Sequence, residues 1–258
     1  MGFLNDFSSI FTRYHTWALM ANQDITMRYR RSVIGPFWIS IAMAVTILAI
    51  GLLFSEVQNQ PFKEYLSFFG CGLLAWTLLL SFITEGAGIV PESEGHLRNI
   101  ALPIPVLSAK VVYRNLIIFG HNALVVGLML ALLGQPIEPV ALVSLLALMV
   151  YISLGLFIGI ALAPICARFR DLPQVIGSAM QVMFFLTPIF WIPGANMDRH
   201  VVLEANPFYH LLEIFRRPLL GSLPTELNWI VSLSALALSA IAAVIVLGTT
   251  RKRIYLWL

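Results

Sequence analysis

The sequence predicts an all-α membrane protein with six transmembrane helices, an N-terminal interfacial helix and an outer re-entrant helix between spans five and six. One observation is composition: 59% of the residues are hydrophobic and 11% are charged, whereas soluble proteins carry about 25% charged residues. The other is a set of windows without Asp, Glu, Lys or Arg, each near the roughly 20 apolar residues that a spanning helix needs. The windows are Val33–Ser55, Tyr65–Thr84, Asn115–Ile137, Pro139–Ala167, Leu172–Met197 and Leu227–Thr250.

These windows divide the whole chain into two parts. We expect residues 1–32 to form a cytoplasmic interfacial helix and residues 33–258 to form a six-span transmembrane domain. The spans are expected at about 33–55, 65–84, 115–137, 139–165, 173–193 and 227–249. Residues 1–30 lack the basic start, short apolar run and cleavage site of a signal peptide. We therefore expect the first span itself to direct insertion.

The distribution of basic residues predicts the orientation, because Lys and Arg concentrate on the cytoplasmic side of a membrane protein. With both termini inside, the cytoplasmic segments hold twelve of the sixteen basic residues. The outer loops hold the other four, which are Lys63, Arg199, Arg216 and Arg217. We expect a multi-pass protein with both termini in the cytoplasm, and this charge bias accounts for the net charge of +3 without a nucleic-acid partner.

The segment before the first span carries a helical pattern. Its apolar and aromatic residues recur at helical spacing, with charged residues between them. This pattern favours a helix lying in the membrane surface, and a plain membrane anchor is the alternative. The stripe consists of Tyr14, Trp17, Ala18, Ala21, Ile25 and Tyr29.

The connection between spans two and three, residues 85–114, is the longest predicted cytoplasmic loop. Gly and Pro interrupt it repeatedly, and Pro91 followed by Glu92 and Glu94 is typical of the start of a short helix. Helices in a bundle need only about two to eight connecting residues. A loop of about thirty residues therefore indicates a surface that another protein binds, and a disordered connection is the alternative.

The predicted outer helix begins at Asn206, a good N-cap, followed by Pro207 at the first helical position. Its apolar residues follow helical spacing, and an apolar helix of about 10–14 residues is typical of a re-entrant or interfacial segment. The stripe consists of Phe208, Leu211, Leu212, Phe215 and Leu219.

Gly155 and Gly159 form a GxxxG motif inside predicted span four. Small residues at this spacing allow another helix to approach closely. We therefore expect a close helix–helix contact at this position.

Several function classes are disfavoured by what the spans lack. Ion-coupled carriers bury ionisable residues near the bilayer midplane, whereas we expect the charged residues here to lie in or beside loops, with Glu85 the deepest. His121 is the one histidine well inside a span, and packing explains it better than proton transfer.

The histidines show no metal-site spacing. A P-loop needs Gly before its Lys, and no lysine here meets that condition: Lys63, Lys110 and Lys252. We expect a non-catalytic chain that depends on another polypeptide for energy.

Aromatic residues cluster near the span ends. Interface belts account for most aromatic residues in such positions. A few that face an internal path could instead stack on the apolar faces of sugar rings. The candidates are Trp38, Phe184, Phe185 and Phe190.

Four motifs in order resemble one family. They are RYRRSVIGPFW at 28–38, LRNIALP at 97–103, RFRD at 168–171 followed by TPI at 187–189, and the segment from Asn206 to Gly221. Asn99 and Leu102 replace a second basic residue and a Phe that the family usually carries. Together they resemble the membrane permease of bacterial ABC exporters for O-antigen, capsule or teichoic acid, in the type-two exporter superfamily.

The resemblance implies two copies of the chain in the bacterial inner membrane, beside two ATP-binding subunits and a lipid-linked glycan. ATP and Mg would bind the partner subunits, with no cofactor on this chain. Spans one and five would line the path, and an outer gate would include Phe208, Leu212 and Phe215. The interfacial helix would dock the ATPase together with Glu92, Glu94, His96, Leu97 and Arg98.

The same resemblance gives the arginines before the first span a possible role. Substrates of the family carry a diphosphate on a lipid, and Arg28, Arg30 and Arg31 lie where that head group would arrive. The alternative is that they set the topology and contact ordinary anionic lipid. Two other functions stay open: a drug or lipid exporter of the same superfamily, and a motor-free channel or scaffold.

Overall fold

The computed structural model describes residues 3–30, 32, 34–35, 37–99, 102–136, 138–194 and 201–250, and every regular element among them is helical. A 3₁₀ turn at Pro139–Leu142 precedes α6. In chain order the helices are α1 (Phe3–Thr12), α2 (Tyr14–Arg28), α3 (Phe37–Val57), α4 (Phe62–Asn99), α5 (Ile104–Leu132), α6 (Val143–Arg168), α7 (Leu172–Leu186), α8 (Val201–Glu204), α9 (Pro207–Leu219) and α10 (Glu226–Thr250).

Five of the described helical segments are long and apolar enough to cross a membrane. They are Phe37–Val57, Phe62–Ser93, Ile104–Leu132, Pro139–Arg168 and Glu226–Thr250. The predicted fifth span corresponds to α7, an apolar helix of 15 residues. The prediction of an all-helical, multi-pass membrane protein is confirmed.

The central element of the bundle is α4, which packs against α3, α5, α6, α7 and α9. Its spanning part is the most enclosed of the five, and its fully buried side chains include Tyr65, Phe69, Leu79 and Phe82. In contrast, α3 and α10 leave most of their apolar surface exposed. A helix buried on all sides organises the core, and the others are arranged around it.

The prediction of a long loop at residues 85–114 is wrong. α4 continues through Pro91 to Asn99, and α5 begins at Ile104, so only four residues separate the two helices. Gly86 does not break α4, because it packs against α6: a Cβ atom there would lie 3.2 Å from the Cα of Gly159. From the sequence of one segment, a glycine that permits close helix packing cannot be distinguished from a glycine that ends a helix.

The predicted contact at the GxxxG motif is confirmed. A Cβ atom on Gly155 would lie 2.6 Å from the ring of Phe82 on α4. Gly159 lies directly against Ser108 on α5, whose hydroxyl donates to the Leu156 carbonyl at 2.8 Å. The motif therefore brings α4, α5 and α6 together.

The N-terminal segment forms two helices where one was expected. The break falls at Arg13, and the Trp17 indole N–H bridges it by donating to the carbonyl of Ile10 at 2.8 Å. The predicted stripe packs on α5, with Ala21 fully buried and the Trp17 ring 5.3 Å from that of Tyr113. The placement of this segment in the membrane surface stays a prediction.

The helix predicted after Asn206 is confirmed as α9. The Asn206 side chain accepts a hydrogen bond from the backbone N–H of Phe208 at 2.9 Å, as an N-cap does. Its apolar stripe packs inward against α4, α6 and α10. α9 is thus packed into the bundle by its apolar face.

Candidate functional sites

Where α2 meets α4 and α5, ionisable residues from all three helices form a charge cluster. Its members are Asp24 and Arg28 on α2, Glu85 and Glu92 on α4, and Lys110 and Arg114 on α5. The two carboxylates that hold the buried cations come from different helices, so the cluster ties the N-terminal segment to the bundle.

Arg114 is the centre of the cluster and is 4% exposed. One terminal nitrogen lies 2.7 Å from Asp24 Oδ2, and the other lies 2.7 Å from Glu85 Oε2. Asn115 also donates to Glu85 Oε2, at 2.6 Å. A guanidinium suits this position because its planar fork donates to two carboxylates at once.

Lys110 adds a second buried cation, with Nζ 2.8 Å from Asp24 Oδ2. The expectation that charged residues lie in or beside loops is therefore wrong for Lys110 and Arg114, which are buried in the body of α5. Burying a charge is costly unless it is paired, and the acidic partners come from α2 and α4. The pattern of α5 alone contains no sign of them.

One predicted docking residue belongs to this cluster. The Glu92 carboxylate lies 3.9 Å from Arg114 while its side chain is 56% exposed. It can therefore be reached from outside the bundle and still contact the buried arginine. The side chains of Glu94, His96, Leu97 and Arg98 lie outside the described part of the structure.

The arginines predicted to bind the lipid head group, as far as the structure describes them, differ in their surroundings. Arg28 is half exposed and reaches to 3.9 Å from Glu85, at the edge of the charge cluster. Arg30, two residues further along the chain, is exposed. Arg31 lies outside the described residues. Arg28 thus has an acidic neighbour, which lowers the positive charge it offers to a phosphate.

At the other end of the bundle, three of the predicted aromatics lie together. Phe184, Phe185 and Phe190 have ring centroids 5.5 to 5.9 Å apart. Trp76 joins Phe184 to the predicted gate residue Phe208, at 5.8 Å from each ring. We call these five residues the aromatic cluster.

Trp38 is apart from the aromatic cluster. Phe54, near the far end of α3, lies 5.6 Å from Phe190. Trp38 stands in the first turn of α3, sixteen residues earlier and therefore about 24 Å away along the helix. It is 54% exposed.

After α7 ends at Leu186, the chain unwinds, and its carbonyls are bound by side chains from elsewhere. The Phe190 carbonyl accepts from the Tyr65 hydroxyl and from Gln58 Nε2, the latter at 3.2 Å. The Gln58 amide oxygen accepts in turn from the Ile192 N–H at 2.8 Å. Sequence reasoning missed Gln58 and Tyr65, because partners more than 120 residues away carry no local signal.

Arg216 binds the same segment from α9. It is 2% exposed, donates to the Pro188 carbonyl at 2.7 Å, and stands 3.8 Å over the Phe68 ring. Arg216 and Arg217 both pair with Glu213. Burial alone would raise the pKa of the Glu213 carboxyl, but these two guanidinium groups hold that pKa below its usual range.

The remaining predicted gate residues are packed inside. Leu212 is fully buried, and Phe215 stacks on Tyr151 at 5.8 Å between ring centroids. The Tyr151 hydroxyl donates to the Leu211 carbonyl at 2.5 Å. α9 is therefore anchored by both apolar and polar contacts, and its role as a gate stays a prediction.

Comparison with known proteins identifies the family. The chain is 28% identical over 204 residues to a protein described as O-antigen export system permease protein RfbA of Myxococcus xanthus, and the match covers 76% of this chain and 77% of that protein. The family described as ABC-2 type transporter matches residues 14–220. That range begins with α2 and ends just beyond α9, so it includes the charge cluster and the aromatic cluster. The chain belongs to the ABC-2 type transporter family.

Proposed function

We propose that the chain is the permease subunit of an ABC exporter that moves a lipid-linked polysaccharide outward across the cytoplasmic membrane. The similarity to an O-antigen export permease over most of both chains carries this proposal. Membership of the ABC-2 family implies an ATP-binding partner subunit, and permeases of this family are generally non-catalytic. ATP and Mg would therefore bind the partner.

The proposed architecture is a homodimer with six spans per chain and both termini in the cytoplasm. A helix of 15 residues covers about 22 Å, less than the roughly 30 Å of the hydrocarbon core. The unwound segment after Leu186 would complete the fifth span. Unwound backbone at membrane depth is tolerated only where protein or water satisfies it, as Tyr65, Gln58 and Arg216 do here. α9 would be re-entrant from the outer side.

The two clusters have separate roles in this proposal. The ATPase would dock at the end of α4 beyond Glu92, and its movement would reach α2 and α5 through Arg114. Arg28, Arg30 and Arg31 would receive the phosphates of the lipid carrier. The aromatic cluster would stack on sugar rings as they pass, below a gate formed by α9.

The first test is purification of the tagged chain from its native membrane in mild detergent. We expect a stoichiometric ATP-binding subunit and measurable ATP hydrolysis. Glu92→Lys should release that subunit, whereas Glu64→Lys, at the opposite end of α4, should retain it. Equal retention of the subunit by both variants would contradict docking at Glu92. A chain purified without any ATP-binding protein would favour a motor-free channel or scaffold.

A second test concerns the substrate. Replacing Arg28, Arg30 and Arg31 together by Gln should reduce surface glycan while the orientation, read by cysteine labelling, is unchanged. Normal glycan export by a correctly oriented variant would show that the arginines only set the topology. Unchanged surface glycan after deletion of the gene would favour a drug or lipid exporter.

A further inference from the structure

A groove on the outside of the bundle is separate from both clusters. It lies between α3 and α5, beside the first turns of α4, and has a volume of about 300 Å³. The described residues that line it are all apolar and include Ile47, Leu48, Leu66, Leu128 and Met129. The three helices are spanning segments. In a bilayer, this surface of the spanning helices would face hydrocarbon.

A second hollow, of about 510 Å³, lies at the end of α3. Its lining includes Ser55, Glu56, Asn59 and Gln60, and Phe62 belongs to the walls of both hollows. Four α3 residues of the two linings follow one another in steps of three or four residues, which keeps them on one helix face. They are Ala44, Leu48, Leu52 and Ser55, and Asn59 lies just beyond the end of the helix. One side of α3 therefore leads from an apolar groove to a polar pocket.

The polar pocket combines the carbonyl end of a helix with one carboxylate. α3 ends at Val57, and two residues later Asn59 has a left-handed backbone, with φ of 51°. The Gln60 N–H bonds to the Ser55 carbonyl at 2.9 Å and the Asn59 N–H to the Glu56 carbonyl at 3.1 Å, the pattern of a Schellman cap. The carbonyl end of a helix attracts cations, and the exposed Glu56 carboxylate adds a formal negative charge.

We propose that these joined hollows bind one bilayer lipid whose head group carries a primary ammonium. One of its hydrocarbon chains lies in the groove, and its ammonium group contacts Glu56 and the carbonyl end of α3. A helix of a second copy is too large to enter a groove of about 300 Å³, because a helix with its side chains is about 10–12 Å across. An anionic head group is disfavoured by the charge of Glu56. The lipid site does not rest on the proposed function.

The test uses the full chain with its co-purifying subunits, delipidated in mild detergent. Palmitoyl-oleoyl phosphatidylethanolamine and the corresponding phosphatidylglycerol are titrated separately, and bound lipid is counted by native mass spectrometry. Leu128→Trp fills the groove. Leu124→Trp is the matched control, because Leu124 is 72% exposed one turn earlier on α5 and outside the lining, whereas Leu128 is 62% exposed.

We expect one tightly bound phosphatidylethanolamine per chain, with phosphatidylglycerol weaker. Leu128→Trp should weaken ethanolamine-lipid binding by about tenfold, and Leu124→Trp should leave it unchanged. Glu56→Gln should reduce the preference for the ammonium lipid by about threefold to fivefold, as expected for one exposed charge contact. Equal binding of both lipids by the unmodified chain, or equal effects of the two tryptophans, would overturn the proposal. A disulfide-linked dimer formed by Leu48→Cys at full yield would assign the groove to a second copy.

Discussion

Asp24 and Arg114 lie ninety residues apart in the chain, and their side chains meet at 2.7 Å between Oδ2 and Nη1. This contact fastens α2, which precedes the first span, to the buried face of α5. The same guanidinium holds Glu85 on α4 at 2.7 Å. One buried arginine therefore joins three helices at the end where we propose that the ATPase binds.

Arg114→Gln should be strongly destabilising, because it leaves the Glu85 carboxylate without its closest cation and leaves Asp24 with Lys110 as its remaining cationic partner. Removing one member of a buried ion pair costs about 3–5 kcal/mol. Unfolding in mixed micelles with increasing denaturing detergent measures the loss. Arg114→Lys, which retains the charge but loses the fork, should cost less. Equal losses in the two variants would show that the forked geometry of Arg114, and not its charge alone, holds the cluster together.

Asp24→Asn should release α2 from the bundle without unfolding the rest. Hydrogen exchange should rise across residues 14–28 and stay unchanged across 226–250. Gln23→Ala is the matched control, since Gln23 is the exposed neighbour on the same helix. Unchanged exchange in α2 would mean that the apolar contacts of Trp17 and Ala21 suffice to hold it.

Gly159→Leu should separate α6 from α4 and α5. The site lies against Ser108 and Gly86, and overpacking a close contact costs about 1–3 kcal/mol or more. Gly127→Leu on α5 is the control, because no atom of the described residues lies within 4 Å of a Cβ atom placed there. Melting temperatures in one detergent compare the two, and similar values would contradict the role assigned to the motif.

Removing both donors to the Phe190 carbonyl, with Tyr65→Phe and Gln58→Leu together, should destabilise the unwound segment more than either change alone. Each variant alone leaves the carbonyl one partner, whereas the double variant leaves none, and an unsatisfied buried acceptor costs about 1–3 kcal/mol. Strictly additive losses in a double-mutant cycle would show that the two donors act independently.

The stability contributed by Glu213 should depend on pH in the acid range. Its pKa in the folded chain is below the usual value, so the contribution is fully present above the unfolded pKa of about 4.3 and is lost as the pH falls through the folded pKa. The free energy of unfolding from pH 6 to pH 3 should therefore fall more steeply for the unmodified chain than for Glu213→Gln. Parallel curves would contradict the pairing with Arg216 and Arg217.

Patterns within single helices were predictable from the sequence. The helices α3, α6 and α10 could be predicted from the length of their uncharged windows alone, because a helix that crosses a bilayer must be long and apolar enough. The start of α9 was predictable from Asn206 and Pro207, since capping is local chemistry. The close approach at Gly155 and Gly159 also follows from a motif within one helix.

The continuity of α4 was not predictable in the same way. Gly86 and Pro91 are helix breakers by local preference, and the structure retains the helix because Gly86 packs against Gly159 on α6. The buried positions of Lys110 and Arg114 were missed for a related reason. A charge inside a membrane helix is tolerated through its partners, and those partners are on α2 and α4.

The sequence by itself determined the class of protein, the apolar windows that form long helices and the cap of α9, because each depends on residues that are neighbours along one helix. Tertiary structure alone decided the charge cluster, the side chains that hold the unwound segment after α7, and the joined hollows along α3. Each of those depends on groups from two or three helices. The packing of the helices around α4 brings these groups together, and the residue pattern of a single helix does not predict it.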